Sequence, residues 1–133
     1  MSLVDALNVV LAGEYAAIYA YGIVAAHVTG EQQIRALSVM ADHRQQRDRL
    51  RAQIIDQGGT PVAGEALYQV PSPVTSPKQA RDLACLVEDR LSGQWAAVAA
   101  ASEDPAAAAL TSVQCSVRAT SWTGSAPIWP GSL

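Results

Sequence analysis

The sequence predicts an all-α fold of four helices, arranged as two antiparallel hairpins joined by one long connection. Three observations carry this. Apolar residues recur at intervals of three and four through four long segments, the signature of helices with one buried face. Hydrophobic residues make up 50% of the 133 residues, many of them alanine, and Phe is absent; alanine favours helix and lets helices approach closely. The connections are unequal: two of a few residues and one of about nineteen.

The first helix is expected from about Leu3 to His27. Val4, Leu7, Leu11, Glu14, Ile18, Tyr21, Ala25 and Val28 form its inward face, so a carboxylate stands within an apolar stripe. Thr29 and Gly30 close it, with Gly30 suited to a left-handed residue. The second helix is expected from about Glu31 to Gln57, with a seam of Leu37, Met40, His43, Arg47, Leu50 and Ile54 and a stop at Gly58–Gly59. Residues 58–76, GGTPVAGEALYQVPSPVTS, read as extended, since their prolines oppose a helix. Ser76 is placed as N-cap of the third helix, with Pro77 in its first turn. That helix runs to about Ser102, with Ala84, Glu88, Leu91, Trp95 and Val98 inward. Asp104 and Pro105 open the fourth helix, which ends near Trp122 and is expected to turn Leu110, Val113 and Val117 to the core. The bundle thus spans 1–123, and residues 124–133 form an extended tail whose Trp129 is expected to close one end.

Short links force antiparallel neighbours. Nineteen extended residues reach roughly 60 Å, and a helix of this size is only about 39 Å long. The central connection can therefore cross the whole bundle and leave the second and third helices parallel, which is the ferritin-like topology. The segments EYAAIYAYGIVAAH, ADHRQQRDRLRAQI, YQVPSPVTSPKQA and SVRATSW resemble, over nearly the whole chain, an uncharacterised actinobacterial family of alanine-rich ferritin-like proteins described as a domain of unknown function. The resemblance implies the fold and offers no activity.

Ferritin-type di-iron centres take single glutamates from two helices and a Glu-x-x-His pair from each of the other two. Glu14 and Glu88 fit the single positions. His43 fits a pair, but Met40 stands where its glutamate belongs, and nothing after Asp104 is Asp, Glu or His. The di-iron site is read as degenerate. Counting from the hairpin turns still brings Glu14 level with His43 and Glu88 level with Arg118, while Arg47 lies one turn from His43. Two carboxylates in an apolar bundle are costly unless neutralised. Glu14, His43, Arg47, Glu88 and Arg118 are therefore expected to form a buried ion-pair layer, with guanidinium well suited to hold carboxylate. The alternative is a small metalloprotein or oxidoreductase with a single Fe or Zn ion on Glu14, His43 and Glu88, open at a fourth position.

The other features narrow the function further. A net charge of −3 opposes nucleic-acid binding, and the five arginines between residues 35 and 51 read as a solvated helix face. Asp5 and Glu14 oppose a membrane span in the first helix, and residues 1–30 show no secretory leader. Cys85 and Cys115 lack metal spacing and read as reduced thiols of a cytoplasmic protein, with a bridge between neighbouring helices as the other reading. Tyr15 and Tyr19 read as packing or dimer contacts, Met40 as core, and His27 as a favourable charge at a helix C-terminus. No nucleotide loop or nucleophile triad is legible, no catalytic residue is assigned, and Glu14 with His43 is the one pair suited to acid–base work. The expected role is a structural or interaction protein without a cofactor, with a homodimer or an unknown protein as partner. A binder of a small apolar ligand is a third reading.

Overall fold

The computed structural model describes residues 1–123. Within them lie four helices, α1 (Leu3–His27), α2 (Gly30–Asp56), α3 (Pro77–Ala101) and α4 (Ala106–Thr123), and no strand. The tail and its Trp129 lie outside the described residues.

Local chemistry sets the boundaries. Ser2 caps α1 through a reciprocal box with Asp5, and the His27 ring donates to the Ile23 carbonyl at 2.8 Å in its last turn. Gly30, at φ +60, supplies the left-handed residue between α1 and α2. Gly58, at φ +79, does the same after α2, where the Gly59 N–H returns to the Ile54 carbonyl. The Ser76 hydroxyl accepts from the Gln79 N–H, and Pro77 occupies the first turn of α3.

The crossover can be followed along α1. Asn8 grips it at both Thr60 and Val62, Tyr15 donates to the Val62 carbonyl at 3.3 Å, and Tyr19 meets Tyr68 with ring centroids 5.6 Å apart. Val70 and Val74 then pack on the apolar cluster that includes Ala20, Tyr21 and Val24 of α1 and Ala80 and Leu83 of α3. The connection travels the length of the bundle, so α3 starts near the end of α1 and runs antiparallel to it. Tyr15 and Tyr19 are thereby committed to holding the crossover, and Tyr15 also accepts from Arg51 at 2.6 Å.

Two apolar clusters fill the interior. One joins Leu7, Val10 and Leu11 to Leu50, Ile54, Leu91 and Trp95; the other joins Tyr21 and Val24 to Val39, Leu83 and Trp122. Between them lies the only polar layer among the described buried residues, Glu14, His43 and Glu88. α1 is long and apolar enough to cross a membrane by length and composition, but here it packs on both α2 and α3 and buries Glu14 completely.

Two expected faces are corrected. α4 turns Ala108, Cys115, Ala119 and Trp122 inward, while Leu110 and Val113 are 59% and 39% exposed and Val117 is half-buried. The reason is proximity: small residues let α4 lie close on α3, where the Ser112 hydroxyl reaches the Ser92 carbonyl at 2.7 Å. On α2, the buried set is Ala36, Val39, His43, Leu50 and Ile54, and Leu37 faces solvent. α1 packs on α2 and α3, and α3 packs on α4, while a groove lies between α2 and α4, crossed by the Arg118–Asp42 pair and by Arg35 over the Trp122 ring.

Candidate functional site: a buried carboxylate–imidazole layer

Each hairpin contributes one carboxylate and one cation. α1 carries Glu14 and α2 carries His43; α3 carries Glu88 and α4 carries Arg118. Glu14 and Glu88 are 0% exposed and His43 is 1% exposed. The His43 ring sits between the carboxylates, with Nδ1 2.6 Å from Glu14 Oε2 and Nε2 2.7 Å from Glu88 Oε1. An imidazole satisfies an acceptor at each nitrogen only when both nitrogens carry protons. With both carboxylates ionised, the layer holds an imidazolium.

Aromatic donors complete it. Trp95 Nε1 donates to Glu14 Oε1 at 3.1 Å, and the Tyr21 hydroxyl donates to Glu88 Oε1 at 2.9 Å. Trp122 Nε1 donates in turn to the Tyr21 oxygen at 3.0 Å. The result is an unbroken chain of hydrogen bonds from Trp122 through Tyr21, Glu88, His43 and Glu14 to Trp95.

Arg118 approaches from the rim. Its guanidinium lies 3.4 and 3.5 Å from the two oxygens of Glu88 and 3.7 Å from Asp42, with the side chain 23% exposed. Arg47 stands outside the layer. Its guanidinium pairs with the exposed Asp48 at 2.9 Å, because the long side chain carries its charge out from the helix to the solvated surface. Beside Glu14, His43, Cys115 and Arg118 lies a cavity of about 30 Å³ that opens toward the groove between α2 and α4.

The electrostatics follow from these contacts. Burial alone depresses the basicity of His43, but hydrogen bonds and charge attraction from Glu14 and Glu88 outweigh it and raise its pKa from 6.5 to about 9. Burial pushes the Glu88 carboxyl up, yet His43, Arg118 and Tyr21 together pull it below the usual range. Burial and the nearby carboxylates push the Tyr21 hydroxyl and the Cys115 thiol up, so both keep their protons. Cys85 and Cys115 are free thiols.

The geometry also tests the metal ligands. A single ion needs its donor atoms to converge on one point about 2 Å from each. Here the two carboxylates face opposite nitrogens of one ring, so His43 and both carboxylates do not share such a point. Among the described residues, no group of three or more His, Cys, Asp or Glu side chains has an arrangement that would hold a metal ion.

Sequence reasoning placed Tyr21 and Trp95 in the core but missed their polar role, and it missed the part played by Trp122. A signal existed. Tyr21 follows Glu14 by seven residues, and Trp95 follows Glu88 by seven. Two helical turns on, each aromatic residue reaches the carboxylate of the other hairpin, because α1 and α3 run antiparallel.

These contacts rank the two cations. Replacing His43 with Leu strands two buried carboxylates and is expected to lower unfolding free energy by about 3–5 kcal/mol. Replacing Arg118 with Leu removes longer, partly solvated contacts and is expected to cost about 1–2 kcal/mol. Urea denaturation of both variants at pH 7 gives the comparison, and equal losses would contradict the ranking. The pH dependence has a definite sign. The folded pKa of His43 exceeds its unfolded value, so its stabilisation is complete below about pH 6.5 and fades as pH rises through about 9. A loss on the order of 3 kcal/mol is expected across that window, and it should vanish from the His43→Leu profile.

No curated protein matches the chain. A conserved hypothetical protein, rv2844, from Mycobacterium tuberculosis is similar in structure, with a TM-score of 0.86 and 32% sequence identity over 90% of this chain and 93% of that one. Residues 6–133 match a family described as a domain of unknown function, DUF4439, and the chain belongs to that family.

Proposed function

We propose that this protein is a ferritin-like bundle whose di-iron site has been replaced by an ion-pair layer, and that it serves as a structural or interaction protein. The observation that carries this reading is the His43 ring, seated between Glu14 and Glu88 with both nitrogens engaged. In a ferritin-type bundle, carboxylates at this depth on the first and third helices would be neutralised by metal. Here an imidazolium and a guanidinium supply the positive charge. Two antiparallel hairpins joined by a crossover that runs the length of α1 support the ferritin-like assignment. A reducing, cytoplasmic setting suits the two free thiols. A homodimer belongs to the same proposal, although two of the tyrosines on which it rests are occupied by the crossover.

The competing reading is a mononuclear Fe or Zn site on Glu14, His43 and Glu88. It is favoured by three ligand-type side chains from three helices meeting in one layer, and it requires the His43 ring to leave one of its carboxylates.

Elemental analysis separates the two. Untagged protein is purified, exposed anaerobically to Fe²⁺ or to Zn²⁺, and desalted. The expected content is far below one metal per chain. A stoichiometric ion that is lost in His43→Ala would overturn the ion-pair reading and establish the metal site.

A further inference from the structure

The described residues leave one side of the four-helix arrangement open. The backbones of α2 and α4 do not come close, and a groove of about 650 Å³ lies between them, crossed by the Arg118–Asp42 pair and by Arg35, which reaches the Ser121 hydroxyl and the Trp122 ring. Its α4 wall carries Leu110, Val113 and Val117, spaced by three and four on one helix face, and Val39 stands opposite on α2. α4 therefore has two apolar faces. Ala108, Cys115, Ala119 and Trp122 are spent on the core, while Leu110 and Val113 remain exposed. Single exposed apolar residues are ordinary, but a continuous stripe along a groove marks a surface for association.

Charge identifies the class of partner. Three arginines, Arg35, Arg49 and Arg118, line the groove against a single acid, Asp42, on a chain whose net charge is −3. Arg118 already serves Glu88 and Asp42, and Arg35 lies over the Trp122 ring, 4.2 Å from its centroid. Arg49 has no ion-pair partner among the described residues. Arg35 and Arg49 are fourteen residues apart on α2, so they mark two points about 21 Å apart along the groove. A surface of that length, with an apolar strip along its α4 wall, a polar α2 wall and an arginine near each end, matches an amphipathic α-helix about four turns long better than a small molecule, which would stay largely wet.

We propose that the α2–α4 groove binds an amphipathic helix of a partner protein, with an apolar stripe turned to Leu110, Val113 and Val117 and acidic residues turned to Arg35 and Arg49. This rests on the interaction-protein reading above and names the surface it would use.

The test is a selection of displayed 18-residue helical peptides on the full chain, followed by measurement of the winners against Val113→Glu and Arg49→Glu. Both positions are exposed, so both variants are expected to fold, which circular dichroism checks. The expected winners have apolar residues at three- and four-residue spacing flanked by Asp or Glu, and bind each variant at least tenfold more weakly. No enrichment, winners without acidic bias, or binding unchanged in either variant would overturn the proposal. So would sedimentation showing a dimer that Val113→Glu converts to monomer, since a second copy would then fill the groove. Metal content of the same preparation reports on the buried layer separately, so failure of the groove and failure of the ion-pair reading are told apart.

Discussion

Two carboxylates buried in one layer of an apolar bundle are the constraint around which this structure is organised. Removing a carboxylate from water costs several kcal/mol even after relaxation, and placing a second one nearby adds repulsion. Glu14 and Glu88 face that cost at 0% exposure. The His43 ring offsets it by carrying one positive charge and presenting a donor to each carboxylate. Such a bridge is directional. It holds the first, second and third helices at one depth and one rotation, because a slip of a single residue would turn a partner away by about 100°.

The rest of the architecture serves that layer. The short link between α1 and α2 sets Glu14 level with His43, and the short link between α3 and α4 brings Arg118 to Glu88. The crossover then has to carry the chain back along α1, so that α3 descends beside it in the opposite direction. Asn8, Tyr15 and Tyr19 hold the crossover in place. Above and below the layer, two apolar clusters exclude water, which strengthens every charge interaction between them. Tyr21 and Trp95 supply the remaining donors, each from the hairpin opposite its acceptor.

Much of this could be read from the chain. The four helices and the two hairpins followed from apolar spacing and link lengths, and Glu14, His43, Glu88 and Arg118 followed from depth counted from the turns. Rotation about the helix axis was harder. Arg47 and Leu37 lie close in sequence to the buried seam of α2, but spacing alone does not settle on which side of a seam a residue falls. On α4, bulk was misleading. Trp122 apart, Leu110, Val113 and Val117 are the larger apolar residues of α4, yet the small Ala108, Cys115 and Ala119 are the ones buried, since close packing between helices favours small side chains. That preference is set by the neighbouring helix and is not written in α4 itself. The aromatic donors were hidden for a related reason: their hydrogen bonds join residues 67 and 81 positions apart, and only the antiparallel course of α1 and α3 makes them neighbours.

The protonation state of His43 bears the whole account, and NMR reads it directly. Long-range proton–nitrogen correlation spectra of the folded chain distinguish an imidazolium from either neutral tautomer. The account expects both ring nitrogens to be protonated at pH 7.5, with a midpoint near 9. A neutral ring at pH 7, with one nitrogen free as an acceptor, would contradict it and return the layer to the chemistry of a metal ligand.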